Sequence, residues 1–114
     1  MTVCERGDVV LVPFPFSNHN TLKKRPAVII SSNIYNNISS DVVIMAVTSQ
    51  TWKTSGIGQC LITDWHEAGL LKPSSIKAAI STIDRSLILL RLGKLSKNDI
   101  LSMESSLRDL LDLK

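Results

Sequence analysis

The sequence predicts a mainly β protein, a small barrel of about five to six or more short strands closed by a C-terminal amphipathic helix. Short segments rich in Val and Ile recur along the chain, and polar stretches rich in Gly, Asn or Ser separate them. One apolar pattern with helical spacing follows at the C-terminal end. With 114 residues, the chain is expected to form one domain, 1–114, that buries a real core.

Five strands are predicted from these segments, at residues 7–16, 25–32, 41–49, 59–65 and 74–82. Pro13 and Pro15 lack an N–H on the same side of the first strand, so that side must be a sheet edge or a barrel rim. Residues 33–40 are predicted as an Asn-rich turn, and residues 64–70 as a helical turn. Residues 83–93 fit a strand and a buried helix equally well.

The C-terminal helix is predicted from its start signal and its apolar face. Ser96 and Asp99 have the spacing of a capping box. The apolar residues that follow on one face are Ile100, Met103, Leu107, Leu110 and Leu111. A stripe of this kind packs against the rest of a protein, so we expect the helix to cover the sheet.

Charge and cysteine content narrow the class of function. The net charge is +3, and its basic excess precedes Ser96, so the body of the domain is compatible with an anionic partner. Cys4 and Cys60 are isolated, and no Cys or His cluster has metal-ligand spacing. Free thiols fit a reducing cytosol, and neither a signal-peptide pattern nor a membrane-length apolar window is present. We therefore expect a soluble, cytoplasmic protein without a metal ion.

Two groups of residues are candidates for chemistry. Arg25 precedes Pro26 at the mouth of an apolar strand, and Thr48, Ser49 and Gln50 follow the next strand. If these strands pair antiparallel, Arg25 and Thr48 lie close together. An arginine fork beside a hydroxyl is suited to clamping a phosphate. The residues alone leave an alternative open, in which Arg25 is a solvated rim residue and Thr48–Ser49 a turn.

Five segments carry a resemblance to a known family. They are GDVVLVPFPFS, KKRPAVIIS, VVIMAVTSQ, DWHEAGLLKPSSIKAAISTIDRSLI and LGKLS. In this order they resemble the MazF/PemK-like toxins of type II toxin–antitoxin systems, and the resemblance extends from about residue 6 to the final helix. It implies a small SH3-like (CcdB/PemK-like) barrel that forms a homodimer.

The resemblance also implies an activity, that of an mRNA interferase. Such an enzyme is a sequence-specific, metal-independent and ribosome-independent endoribonuclease that cuts single-stranded mRNA and so inhibits translation and growth. The ribose 2′-OH attacks the adjacent phosphate, giving a 2′,3′-cyclic phosphate and a 5′-OH. By this resemblance, Arg25 would be the catalytic arginine that stabilises the phosphorane, and Thr48 would bind the scissile phosphate or orient Arg25. No cofactor is implied.

The partner implied by the resemblance is a cognate antitoxin whose flexible C-terminal segment covers the RNA groove, in a complex that binds DNA. Further candidates for binding substrate are Lys24, Lys77, Ser49, Gln50, His19 and Trp52. The two lysines are expected to contact phosphates. His19 is a candidate for proton transfer and Trp52 for base stacking. A solvated lysine or histidine and a tryptophan at the dimer interface are the alternatives.

One departure from the family concerns proton transfer. Ala78 and Ala79 stand where some relatives carry a carboxylate, so the general base is unassigned. A catalytically impaired homologue that binds RNA or a protein is therefore an alternative. A gyrase-poison-like toxin of the same fold, similar to CcdB, is a second alternative, which the ending LLDLK disfavours because a Trp-Gly-Ile-type ending is absent.

Overall fold

Six strands form one curled antiparallel sheet. The structure, a computed structural model, describes residues 4–14, 23–51 and 56–114. The strands are β1 (Asp8–Phe14), β2 (Lys23–Ile29), β3 (Asp41–Thr48), β4 (Cys60–Ile62), β5 (Ser74–Asp84) and β6 (Leu90–Lys94). Their spatial order is β4–β5–β3–β2–β1–β6, so β4 and β6 are the edges of a half-barrel. The prediction of a mainly β, barrel-like fold is confirmed.

A C-terminal helix, α2 (Lys97–Leu111), covers one face of this sheet. It begins as predicted, since the side chain of Ser96 accepts a hydrogen bond from the backbone N–H of Asp99 at 3.2 Å. Met103 is completely buried. Ile100, Leu107 and Leu110 are partly buried in the same cluster, whereas Leu111 is half exposed. Across the described ranges, no helix is long and apolar enough to cross a membrane.

The prediction of a turn over residues 33–40 is wrong, because a short helix, α1 (Asn33–Ile38), forms there. Ser32 caps it by accepting a hydrogen bond from the backbone N–H of Tyr35 at 3.1 Å, an arrangement that satisfies a free donor of the first turn. The ambiguous segment 83–93 divides into the end of β5, a 3₁₀ turn and β6.

Side chains alternate between the two faces of the sheet, and each face has its own apolar cluster. On the first face the buried residues are Cys4, Val10, Val12, Ala27, Ile29, Val42, Ile44, Ala46 and Ile88. On the opposite face, called here the helix face, they are Val9, Val28, Met45, Val47, Ile62, Ala68, Leu70, Ile76, Leu95 and Met103. The face on which a side chain lies therefore decides which surface it can serve.

Pro13 lies where one side of β1 has no partner strand. The strand β1 pairs with β2 as far as Phe14, but it pairs with β6 only as far as Leu11. The missing N–H of Pro13 therefore costs no ladder hydrogen bond on that side. This confirms the predicted rim position; Pro15 lies outside the described residues.

The turn that follows β4 is held by one buried carboxylate. Asp99 is 1% exposed, and its two oxygens accept hydrogen bonds from the backbone N–H groups of Thr63 and Asp64, each at 2.9 Å. The turn ends at Gly69, where φ is +76° and an added Cβ would collide with the carbonyl oxygen of Leu92 in β6. Asp99 and this close approach together fix the chain that leads into β5.

Replacing Asp99 with Ala should therefore destabilise the protein by about 2–4 kcal/mol, because two partly buried N–H groups lose a charged acceptor. Urea unfolding followed by circular dichroism measures the difference. Asp109→Ala, an exposed carboxylate of the same helix, is the control and should change the free energy of unfolding by less than about 0.5 kcal/mol. Equal effects of the two substitutions would show that these hydrogen bonds do not stabilise the turn.

Candidate active site

The pairing of β2 with β3 brings the two strongest sequence candidates to the same end of the sheet. Ala27 lies opposite Ala46 in an antiparallel register, and continuing that register by two residues places Arg25 opposite Thr48. Two-residue steps preserve the face of a strand, so both side chains share the first face with Ala27 and Ala46. The juxtaposition expected from antiparallel pairing is present.

An irregularity between β3 and β5 brings Lys77 to the same place. Met45 pairs with Ile80 but Val47 pairs with Ile76, so the single residue Ala46 faces three residues of β5, 77–79. Within this bulge, Lys77 and Ala79 line the first-face cavity. Ala78 lies on the other side, where a Cβ added to Gly58 would approach it to 3.0 Å.

These residues line a cavity of about 430 Å³, called here the arginine cleft. Its lining consists of Arg25, Ala46, Val47, Thr48, Ser49, Gln50, Lys77 and Ala79. Arg25 and Thr48 are partly buried, whereas Ser49, Gln50 and Lys77 are exposed. Five of the predicted site residues therefore meet in one cleft. Of Ala78 and Ala79, only Ala79 is among the described residues that line it.

The cleft is electropositive, and its charges are not neutralised by acidic side chains of the described residues. The described residues of its lining include no acidic side chain. The ion pairs found in the described part of the chain join Arg6 to Glu104 at 2.7 Å, Arg91 to Asp8 at 3.1 Å and Lys94 to Glu5 at 3.5 Å. Across residues 4–14, 23–51 and 56–114, therefore, neither Arg25 nor Lys77 has an acidic partner. Their charges are available to an anion.

Thr48 has the turn role that its sequence position suggested, and its hydroxyl keeps a proton to donate. Its Oγ1 accepts a hydrogen bond from the backbone N–H of Gln50 at 3.1 Å, which is turn chemistry of the kind expected where a strand ends. A hydroxyl has one proton to donate as well as lone pairs to accept. The O–H of Thr48 can therefore still donate to an oxygen bound beside Arg25.

The described residues include two cysteines, Cys4 and Cys60, and neither is in a disulfide. Burial raises the pKa of the Cys4 thiol, and burial together with the charge of Asp99 raises the pKa of the Cys60 thiol. Neither cysteine lines the arginine cleft. In the described ranges, no group of His, Cys, Asp or Glu side chains is arranged to hold a metal ion. The cleft offers cations, hydroxyls and one amide.

Lys24 does not line the arginine cleft, since it lies one residue from Arg25 and so on the opposite face. It lines a second cavity of about 350 Å³, called here the leucine cavity. The apolar residues of that cavity are Leu11, Pro26, Val47, Leu70, Leu71 and Leu92. The sequence analysis did not predict this cavity, although two leucines followed by a lysine at Leu70–Lys72 could have indicated it. His19 and Trp52 lie outside the described residues.

The fold is a curled antiparallel sheet with an electropositive cleft at the mouth of two paired strands. The model of one family, PemK-like, MazF-like toxins of type II toxin–antitoxin systems, matches residues 5–111. The chain belongs to this family. A comparison with curated protein sequences gave no significant match.

Several solved structures share the fold. An endoribonuclease in complex with its cognate antitoxin, from a mycobacterial species, is 19% identical with a TM-score of 0.77, covering 100% of this chain and 98% of that one. MazF from Deinococcus radiodurans is 20% identical with a TM-score of 0.76, covering 98% and 99%. The MazF chain of a MazE–MazF complex from the same organism is 17% identical with a TM-score of 0.76, covering 100% of both. These likenesses establish the fold.

Because Arg25 has no acidic partner in the described ranges, its charge should contribute little to folding. We expect Arg25→Gln to change the free energy of unfolding by less than about 1 kcal/mol. Arg91→Gln is the matched control and should cost about 1–3 kcal/mol, because the Arg91 side chain bonds the buried carboxylate of Asp8. Urea titrations of both variants measure this. A loss of unfolding free energy well above about 1 kcal/mol in Arg25→Gln would show that Arg25 stabilises the fold.

Proposed function

We propose that the chain is a sequence-specific, metal-independent and ribosome-independent endoribonuclease toxin that cuts single-stranded mRNA. The observation that carries the proposal is the placement of Arg25 and Thr48 on one face, at the end of two paired strands, with Lys77 in the same cleft. Family membership agrees with it. Such cutting would arrest translation and growth.

The reaction needs a bound phosphodiester and the adjacent ribose. The 2′-OH oxygen forms a bond to phosphorus and the bond from phosphorus to the 5′ oxygen breaks, which leaves a 2′,3′-cyclic phosphate. The 2′ proton is lost and the leaving oxygen gains a proton, so the other product is a 5′-OH. Negative charge grows on the phosphoryl oxygens, and preorganised donors aimed at such charge supply the largest part of many rate enhancements.

In this proposal, Arg25 binds and stabilises the phosphorane through its planar fork of N–H donors. The O–H of Thr48 donates to a second phosphoryl oxygen or orients Arg25, while Lys77 holds a phosphate in the cleft. An arginine remains protonated far above neutral pH, so Arg25 acts as an electrostatic group and not as the proton donor.

Among the described residues, the lining of the cleft includes no carboxylate that could accept the proton, and Ala79 occupies a position on β5 that faces the cleft. His19 stays a prediction for this role. The same alanine favours a second candidate function, a catalytically impaired homologue that binds RNA or a protein through the same cations. Arg25 and Thr48 support the nuclease, since both groups of an oxyanion clamp are in place.

The proposed partner is an antitoxin. Structures of the family fold include an endoribonuclease with its cognate antitoxin and MazE–MazF complexes. We extend this to the present chain: a flexible acidic segment of the antitoxin covers the arginine cleft, with carboxylates in place of phosphates. We also propose that the chain is a single toxin domain, that it acts in the cytoplasm as a homodimer, and that its complex with the antitoxin binds DNA.

The test is cleavage of a long single-stranded RNA in the presence of EDTA. The wild-type protein should cut at a shared short motif and leave 5′-OH ends, and Arg25→Ala should lose at least about 100-fold of the rate because one preorganised donor is removed. Arg108→Ala, an exposed arginine of α2, should cut normally. The ends are mapped by sequencing after phosphorylation.

The outcomes separate the two candidate functions. Intact RNA with folded wild-type protein, together with growth arrest that survives Arg25→Ala, would reject the nuclease and support the binding homologue. An RNA made with 2′-O-methyl ribose should resist cutting, because the nucleophile is blocked. Cutting of that RNA would reject the mechanism.

Lys77 should contribute one phosphate contact. With an RNA of 2′-O-methyl ribose, which is bound but not cut, Lys77→Ala should reduce the slope of log K against log salt by about 0.7, the value for one contact to a single strand. Lys94→Ala should leave the slope unchanged, because that ammonium pairs with Glu5 at 3.5 Å. Fluorescence anisotropy at several salt concentrations measures both. An unchanged slope in Lys77→Ala would place this lysine outside the RNA path.

A further inference from the structure

The leucine cavity has no part in the proposed cleavage step, yet it adjoins the residues that carry that step. We propose that it binds the base of a nucleotide next to the cut and thereby selects the RNA sequence at one position. The inference rests on the proposed function, since it takes RNA as the ligand. The lining residues on which the inference rests are all described by the structure.

The two cavities adjoin at the end of β2 and β3. They share the lining residues Arg25, Val47, Thr48 and Ser49. The arginine cleft opens on the first face and the leucine cavity on the helix face, so the shared residues form the ridge between them. An RNA strand with its scissile phosphate on Arg25 would therefore bring a neighbouring base to the mouth of the leucine cavity.

The walls of the leucine cavity suit the apolar face of a base. Leu70 and Leu92 belong to the packed cluster of the helix face, so these walls are fixed. Leu71 is 96% exposed at the same cavity. An exposed leucine gains free energy when a ligand removes it from water. Single bases that leave a stack are held between apolar or aromatic side chains in this way.

The charges around the cavity match what a nucleotide brings with its base. Lys23, Lys24 and Lys72 contribute to the lining beside Arg25, and no acidic residue does. Lysines position a nucleic acid through its phosphates, whereas contacts to the base carry sequence information. The Oγ of Ser74 donates to the carbonyl of Lys72 at 2.9 Å, which fixes the backbone that presents Leu71 and Lys72.

A large apolar side chain of an acidic peptide is the other chemistry that such a cavity admits. RNA is favoured because the cavity adjoins the position of the scissile phosphate, and because each nucleotide supplies one base and one phosphate in a fixed relation. The leucine cavity likewise has apolar walls and lysines in one lining. A peptide would need an apolar residue flanked by carboxylates at matching positions.

The experiment compares cleavage motifs by sequencing the products of a randomised RNA pool. Leu71→Ala should weaken the base preference at one position beside the cut by about fivefold, the low end of what a base contact contributes, and leave the other positions unchanged. Leu71→Met should retain the preference, since it restores an apolar side chain of similar reach. Leu101→Ala is the matched control, because Leu101 is 59% exposed on α2 and lines neither cavity.

An unchanged motif in both Leu71→Ala and Lys72→Ala would overturn the inference. The inference would also be overturned if Leu71→Ala left the motif unchanged but abolished inhibition by a synthetic peptide of glutamates around one leucine. The cavity would then be a peptide site. If the wild-type protein cuts nothing, the proposed function fails separately. In that case the sequence preference of each variant is measured on 2′-O-methyl RNA that binds without being cut, and the same two outcomes overturn the inference. Thermal unfolding of each variant confirms that the fold is intact.

Discussion

The antiparallel pairing of β2 with β3 is the contact on which the candidate site depends. The register is set in the core, where Val28 lies opposite Met45 and Ile29 opposite Ile44, all of them buried. A slip by one residue would move every side chain of β2 to the other face. Arg25 would then leave the arginine cleft. Burial of apolar side chains thus positions a charged group that itself has no acidic partner in the described ranges.

The bulge between β3 and β5 is the second determinant of the site. A regular ladder would give Ala46 one partner, and the irregularity gives it the three residues 77–79. Bulges re-aim side chains and are common beside active sites. Here the bulge adds Lys77 to a cleft whose other polar groups come from β2 and from the end of β3. Three strands, distant in sequence, therefore supply the lining.

Much of this arrangement could be predicted from sequence because it follows from strand patterns. Runs of Val and Ile gave the strands of the sheet, and antiparallel pairing alone placed Arg25 beside Thr48. The helix α1 was missed because capping by Ser32 outweighs the turn preference of asparagine. Lys24 and Arg25 lie on different faces because side chains alternate along β2, and this could be predicted from the sequence. The leucine cavity could not be predicted in the same way, because its lining also depends on the fold of the turn before Leu70. A bulge is a property of two paired strands, so the distinction between Ala78 and Ala79 could not be read from one chain segment.

The composition of the arginine cleft limits the chemistry that it can perform. It has two cations, Arg25 and Lys77, and neutral polar groups on Thr48, Ser49 and Gln50, without a carboxylate in the lining. Such a set stabilises negative charge, and the described part of the lining supplies neither a carboxylate nor an activated nucleophile. A substrate that carries its own nucleophile beside the phosphate needs no nucleophile from the protein, and only the proton of that nucleophile must still be accepted. RNA has the 2′-OH in this position and DNA lacks it. Under the proposed function, the charge of the cleft binds a phosphodiester and the 2′-OH of RNA supplies the attacking oxygen, so the expected substrate is RNA and not DNA.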